Sequence, residues 1–375
     1  MTDSTIKPNP FKRQWVEIRE DVLSAVERVG EHADYIMGPE LLAFESAFAM
    51  RQDRGFAVGC GNGLDAIEIA LRALGISVGD RVITTPFSAF ATTLAIIRAG
   101  GVPVFVDVNS HGAIDLEQAA ECIEADPGIR YCVPVHLYGM PIEMQTLQEL
   151  KSRYSIAVVE DCSQAVGASF SGKPVGSASS IAAYSFYPTK NLGALGDAGA
   201  ITTDDETLAG RCRQLRDYGQ SEKYRHDRLG MNSRLDELHA GILNSAILPR
   251  LNPWIARRGE IAERYIGSIR HPSVETFTLP AAALAAWHLF PVRVDARKRE
   301  QFLHYLHDEG ILASVHYPVL IPDQAALKDG VDASTWRKLD TASQFASEEV
   351  SLPIHPFLVD EEIDRVCRKI NEWSP

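Results

Sequence analysis

Trp15, Ile18, Val22, Val26 and Val29 recur every three or four positions over residues 12–30, a spacing that predicts an amphipathic helix. A turn at 35–40, marked by Gly38-Pro39, leads to a second helical pattern over 41–50 with Phe44 and Phe48 on one face. The period then shortens. Residues 56–60 are a short apolar run entering Gly61-Asn62-Gly63, after which Leu64, Ile67, Leu71 and Leu74 line one side of a helix. Mostly apolar runs of strand length follow at 81–85, 103–108, 131–136, 155–159 and 180–186. Helical patterns at 116–123 and 144–151 lie between them. This alternation predicts an α/β fold: a mostly parallel sheet with helices on both faces and ligands at the strand ends.

Beyond Leu235 the pattern turns mostly helical, with interruptions at Pro249 and Pro253 that predict an exit from the first unit. A strand at 288–294, a helix at 296–308, a strand at 312–317 and a last helix at 361–373 predict a small C-terminal α/β unit. The expected division is a large domain over 1–250 and a small one over 251–375. A length of 375 residues, 45% of them hydrophobic, suffices for two such cores.

Charge and cysteine content then narrow the chemistry. A formal net charge of -13 argues against a nucleic-acid partner, because that affinity needs Lys and Arg on phosphates. An anionic small substrate would require a local basic pocket. No run of eighteen apolar residues spans a membrane, and residues 1–10 are polar with two prolines, so a cytoplasmic location is expected. The six cysteines are scattered without a C-x-x-C pair, which indicates core thiols and no metal site. His304 and His307, three apart, lack a visible third ligand and read as helix-face residues.

Four features sit where the strands end. The glycine turn at 61–63 opens a helix, whose free N–H groups and positive dipole end suit a phosphate. Its G-x-G-x-G spacing does not fit the dinucleotide fingerprint G-x-G-x-x-G. The stretch Pro86-Phe87-Ser88-Ala89-Phe90-Ala91-Thr92-Thr93 leaves a second strand, Asp107 closes another, and His136-Leu137-Tyr138-Gly139 a third. Glu160-Asp161-Cys162-Ser163-Gln164 closes a fourth, where a buried carboxylate needs a cation or several donors. Capping of a following helix is the plainer alternative for Asp161.

The sharpest feature is Lys190. Pro188 has no N–H and stops the strand ladder, so the lysine stands just past a strand end. Gly193, Gly196 and Gly199 suit a loop packed closely on a ligand. A lone lysine in a turn is ordinarily solvated, but the combination with the phosphate turn, the aromatic and the strand-end Asp fits one cofactor, pyridoxal phosphate. That group needs a lysine for its Schiff base, an anion at its pyridine nitrogen, a ring to stack on and donors for its phosphate. A freed Lys190 amine would then carry the proton between substrate carbon and cofactor carbon.

Over nearly its whole length the chain resembles the DegT/DnrJ/EryC1/StrS family of sugar-nucleotide aminotransferases, which have the fold-type-I, aspartate aminotransferase-like architecture. The run Ser185-Phe186-Tyr187-Pro188-Thr189-Lys190-Asn191-Leu192-Gly193 is similar to the family's lysine motif, and residues 160–168 to its pyridine-binding motif. The resemblance implies that Lys190 carries the Schiff base, Asp161 meets the pyridine nitrogen, Gln164 the ring hydroxyl, and Phe90 the ring face. It implies that Ser185 and Asn62, Gly63 and Leu64 hold the phosphate. Ala198, where many relatives have glycine, is a departure of little expected consequence. The segment Gly230-Met231-Asn232-Ser233-Arg234 is similar to a motif whose Asn reaches the neighbouring subunit's phosphate, so Asn232 implies a homodimer with shared sites. A helix begun by Ser233 with Asp236 three residues on is the plainer reading of that segment.

For the substrate, the resemblance points to Tyr187 and to the His316-Tyr317-Pro318 motif, with Trp287-His288 matching relatives as well. Lys223, Arg225 and Arg228 form a dense basic segment and are candidates for a diphosphate, or else solvated surface. The implied activity is transfer of an amine from L-glutamate to a keto group of a nucleotide sugar. The motif details favour C3 of a dTDP-3-keto-6-deoxyhexose, with C4 amination or a UDP-linked sugar as the alternative. Dehydratases of this resemblance carry His in place of Lys190, and a non-catalytic cofactor-binding regulator would need an added DNA-binding module.

Overall fold

In the computed structural model, which describes residues 5–328 and 332–374, seven strands form the main sheet. They are β1 (Phe56–Cys60), β2 (Arg81–Thr84), β3 (Val102–Phe105), β4 (Tyr131–Val133), β5 (Ala157–Asp161), β6 (Ile181–Ser185) and β7 (Gly199–Thr203). Side chains alternate between two apolar layers: Ala182 and Tyr184 face one, Ile181 and Ala183 the other. Both faces are buried, as the continuous apolar runs require. The order is β1-β7-β6-β5-β4-β2-β3, with Ser334–Thr335 added beside β3.

Neighbours from β6 to β3 run parallel, so their C-terminal ends share one edge. Strand β7 alone is antiparallel, to β1 and β6 alike. Gly199 therefore stands opposite both Cys60 and Ser185. That register brings the turn after β1 and the end of β6 side by side.

Helices α1 (Phe11–His32), α2 (Pro39–Arg51) and α3 (Gly63–Leu74) follow the apolar periodicity. Helix α3 is buried nearly all round, since it lies between the sheet and α4 (Phe90–Arg98) and further helices. The sequence reading did not delimit α4, the strand β7 or the helix Glu206–Arg216. Helix α4 is short and apolar at most positions, so it has no amphipathic period to read. Asp107 stands past the C-terminal end of β3, but its carboxylate is taken up by backbone: it accepts the N–H groups of Val108, Thr341 and Ala342, capping the helix Asp340–Glu348.

After Glu237–Ile242 the chain passes through a π turn and a 3-10 turn into the helix Leu251–Ser268. Pro253 is accommodated there because first-turn N–H groups have no intrahelical acceptor. The C-terminal sheet is antiparallel, Val274–Thr276, Phe290–Val294 and Glu349–Leu352. Residues 312–317 do not form the expected strand. That segment has isolated backbone bridges, Ile311 to Ile6 just before it and Ser314 to Ser351 within it, and side-chain contacts at His316, and its peptide bond between His316 and Tyr317 is cis. A second apolar core, with Tyr265, Phe290, Phe302 and Phe345, underlies this part and reaches Phe87 and Tyr138. All six cysteines are buried and free. No helix among the described residues is long and apolar enough to cross a membrane.

Candidate active site

Past the end of β6 the chain turns sharply, with the Lys190 N–H donated to the Tyr187 carbonyl at 2.8 Å. The glycines of this loop pack against protein. A Cβ on Gly193 would stand 2.4 Å from the Pro188 carbonyl oxygen, and one on Gly199 2.5 Å from the Asn62 carbonyl. Lys190 is half-buried, and its Nζ lies 3.4 Å from His288 Nε2. Burial pulls its pKa down to about 8, against the opposing pull of the Asp161 carboxylate. Near neutral pH a usable share of the amine is therefore free, the state a nucleophile or base needs.

Asp161 is the last residue of β5 and is buried. Its Oδ2 accepts the Thr92 hydroxyl at 2.8 Å and its Oδ1 the Ser163 N–H at 3.0 Å. No helix follows it, so it is not a helix cap. Gln164 is fixed at both ends: Oε1 accepts the Tyr138 N–H at 2.8 Å, and Nε2 donates to the Tyr317 hydroxyl at 3.1 Å. Phe90, the first residue of α4, stands two residues from Thr92 and packs against Phe105, Ile321 and Leu327.

The register at Gly199 sets Ser185 against the start of α3. Asn62 caps that helix, its Oδ1 accepting the Asp65 N–H at 2.8 Å. A Cβ on Gly63 would fall 2.5 Å from Ser185 Cβ, so only glycine lets the two approach. The N–H groups of Gly63 and Leu64 have no partner among the described residues. Two free amides, a helix N-terminus and an adjacent hydroxyl make an anion cradle. A buried carboxylate, a lowered-pKa lysine and this cradle along one sheet edge fit pyridoxal phosphate.

The opposite wall comes from the C-terminal part. Gly139 lies so close to Trp287 and His288 that a Cβ would meet their backbone nitrogens at 2.8–2.9 Å, and its carbonyl accepts the Ala286 N–H. This contact brings His288 to Lys190. Buried Arg258 donates from Nη1 to the carbonyls of Trp287 at 2.8 Å and Ile354 at 2.9 Å. Burial lowers its pKa to about 9, which leaves the guanidinium charged at neutral pH. Burial, with Lys190, Arg258 and His316 nearby, keeps His288 well below its ordinary pKa and neutral. Burial and Lys190 likewise hold His316 down at about 4. Tyr317 is pushed up to about 12, mainly by burial. Tyr187, Lys190, Arg258, His288, His316 and Tyr317 line a common cavity of about 260 Å³.

Other expected residues stand elsewhere. Lys223, Arg225 and Arg228 lie on or beside an exposed hairpin and are not brought to this cavity. Lys223 sits over the ring of its neighbour Tyr224, and Arg228 Nε donates to Gln214. Asn232 is exposed and bridged to Asp217. The helix after it starts at Glu237 and is capped by Asp236, whose Oδ1 accepts the His239 N–H. Ser233 instead donates to Asp65 and accepts the Gly61 N–H. His304 and His307 each bond a backbone carbonyl of their own neighbourhood.

His136, Glu160 and Cys162 cluster within metal-ligand reach, but the cluster is satisfied without an ion. His136 accepts the Ile142 N–H on Nδ1, so Nε2–H faces Glu160 at 3.0 Å. Glu160 also accepts from Gly176 and Ser179. Burial raises its pKa, but these bonds outweigh burial and hold it below its ordinary value.

Thr92 and Arg258 were not singled out from sequence. Thr92 fell inside a quoted strand-end stretch, but nothing in its spacing marks it as a partner of Asp161. Arg258 reads as one more solvated arginine on an amphipathic helix.

Comparison with known proteins agrees with this geometry. The model of the DegT/DnrJ/EryC1/StrS aminotransferase family matches residues 16–371. The dTDP-3-amino-3,4,6-trideoxy-alpha-D-glucose transaminase of Streptomyces venezuelae is 39% identical over 97% of this chain and 95% of its own length. The UDP-N-acetyl-3-dehydro-alpha-D-glucosamine 3-aminotransferase of Acidithiobacillus ferrooxidans is 35% identical over 99% of this chain and 98% of its own. Among solved structures, S. venezuelae DesV in complex with a ketimine intermediate superimposes with a TM-score of 0.93 at 38% identity, covering 98% of both chains. A family match across nearly the whole chain, on a fold with its lysine, carboxylate and phosphate cradle at one edge, has one meaning: the chain belongs to the DegT/DnrJ/EryC1/StrS family and is a pyridoxal-phosphate-dependent aminotransferase.

Proposed function

We propose that the enzyme transfers the amino group of L-glutamate to a keto group of a nucleotide-linked sugar, at C3 of a dTDP-3-keto-6-deoxyhexose. The observation that carries this reading is the 39% identity over 97% of the chain to a transaminase named for a dTDP-3-amino sugar. The UDP-sugar 3-aminotransferase, matched over 99% of the chain, supports position 3 and favours a UDP-linked sugar as the second reading.

Bound pyridoxal phosphate supplies an electron sink for a carbanion next to nitrogen. Asp161 would hold its ring nitrogen protonated, a charge-assisted bond of about 1.5–3 kcal/mol. Gln164 would orient the ring hydroxyl, Phe90 cover the ring, and Ser185 with the Gly63 and Leu64 amides hold the phosphate. Lys190 would be the base that removes the proton at the substrate carbon and the acid that returns one. Neutral His288 beside it neither competes for that proton nor repels a cationic amine.

The first 250 residues would hold the cofactor, and residues 251–375 would close the cavity over it in a cytoplasmic homodimer. Lys223, Arg228 and Asn232, exposed in one chain, would then serve the partner's site. The test is to supply glutamate with a dTDP-linked and, separately, a UDP-linked 3-keto sugar and follow the keto-to-amine mass change. Amination of the dTDP substrate is expected at the higher kcat/KM. Amination only of a 4-keto sugar, or of neither, would sink the reading.

A further inference from the structure

Glu349 opens the strand Glu349–Leu352 and is 0% exposed, yet no Lys or Arg is in ion-pair contact with it among the described residues. It is not free of partners. Oε2 accepts the backbone N–H of His316 at 2.6 Å, and Oε1 is hydrogen-bonded to the Ser351 hydroxyl. The Ser351 oxygen in turn lies 3.0 Å from His316 Nδ1. His316 is also held through its carbonyl, which accepts the Tyr138 hydroxyl. The remaining ring nitrogen, Nε2, has no hydrogen-bond partner among the described residues, on a side chain that lines the Lys190 cavity.

The protons of this chain follow from burial taken together with its donors and acceptors. A buried carboxyl with no cation in contact is far cheaper neutral than charged, and burial pushes Glu349 up to about 8, outweighing its hydrogen bonds and the pull of Arg299, whose Nη1 is given to the Ala346 carbonyl. A neutral carboxyl has one O–H and one carbonyl oxygen. Oε2 faces an N–H and must be the acceptor, so the hydrogen is on Oε1 and is given to Ser351. Ser351 Oγ, having accepted, directs its own hydrogen to His316 Nδ1. The imidazole, kept neutral by burial and Lys190, then carries its single proton on Nε2.

We propose that Glu349 and Ser351 are positioning residues that lock His316 as its neutral Nε2–H tautomer, so that the cavity offers a fixed hydrogen-bond donor to an oxygen of the acceptor sugar. The assignment of the recipient rests on the keto-sugar reading above; the tautomer does not. An alternative wiring with a charged Glu349 would reverse both bonds of the Ser351 hydroxyl and leave Nε2 an acceptor, so the two cases differ at one observable atom.

The experiment is nitrogen-15 NMR of histidine-labelled holoenzyme, with His316 identified by its loss in His316→Gln. The expected result is a neutral Nε2–H imidazole that gives way to an Nδ1–H population in Ser351→Ala and Glu349→Leu. Both variants should lose tenfold or more in kcat/KM for the keto sugar while the glutamate half-reaction keeps its rate. Glu349→Gln, whose amide keeps a donor and an acceptor in the same places, should rescue both readouts. An Nδ1–H tautomer in the unmodified protein overturns the proposal, as does an equal fall in both half-reactions. Because the tautomer is read without substrate, a failure of the sugar reading and a failure of this wiring are separate results.

Discussion

Two groups define the site at the scale of single residues, one amine and one carboxylate, each adjusted by its surroundings. Lys190 is lowered to about 8 by burial, and Asp161 is held by the Thr92 hydroxyl and the Ser163 amide. Replacing Lys190 by Ala removes a half-buried amine without opening a hydrogen-bond ladder. The variant should fold, bind cofactor without a visible band of the lysine-bound form, and lose on the order of 10³-fold or more in turnover. Absorbance and steady-state rates check this; normal turnover would remove Lys190 from the chemistry.

Glu349 makes a second prediction at this scale, in stability. Its folded pKa of about 8 exceeds the ordinary 4.5. Between those values the unfolded chain releases the proton that the fold retains, so this residue's contribution to stability falls as pH rises and levels off above about 8. Glu349→Gln should match the parent near pH 4.5 and exceed it by about 1–3 kcal/mol near pH 7.5 in denaturant unfolding. Equal stabilities at both pH values would contradict a neutral Glu349. Lys190, Asp161 and Gln164 were legible in the sequence because each stands where an apolar run stops. Glu349 and Ser351 were not: they alternate with Val350 and Leu352 as solvent-facing strand positions would, and only the folded register buries them and brings them to His316.

Elements decide which of these residues meet. Strand β7 is the clearest case: placed antiparallel between β1 and β6, it sets Gly199 opposite Cys60 and Ser185 together, and so builds the anion cradle. The parallel sheet and the loops at its C-terminal edge were readable from strand-helix alternation, but β7 was not. Gly199-Ala200-Ile201-Thr202-Thr203 follows a glycine-rich loop and gives no polar-apolar alternation, because both its faces are buried. Residues 312–317 show the reverse error: apolar enough for a strand, they are held by side-chain and isolated backbone contacts to Glu349, Ser351 and Tyr138. At the cradle, Gly63→Ala would place a methyl 2.5 Å from Ser185 Cβ. The helix must shift, at a cost of about 1–3 kcal/mol in stability. Affinity for pyridoxal phosphate should fall at least tenfold by titration, and unchanged affinity would show that the phosphate sits elsewhere.

At the scale of the whole molecule, the cavity has one wall from the main sheet and one from the C-terminal core, clasped where Gly139 meets Trp287 and His288. The basic hairpin and Asn232 remain exposed and away from it. Their motif was legible, but a single chain does not bring them to the cavity. If each site is shared, Lys190→Ala and an Asn232 variant should both be inactive as homodimers, whereas a mixed dimer keeps one intact site and regains activity. Absence of any recovery on co-expression would argue for sites complete within one chain.

The central claim, that Lys190 holds pyridoxal phosphate and glutamate donates the amine, is tested most directly by the near-ultraviolet and visible spectrum of the purified protein during a glutamate titration. The account predicts a visible band of the lysine-bound cofactor that gives way to the shorter-wavelength band of the aminated cofactor and returns when a keto sugar is added. A protein that shows no such band even after pyridoxal phosphate is supplied, or whose band ignores glutamate, would contradict it.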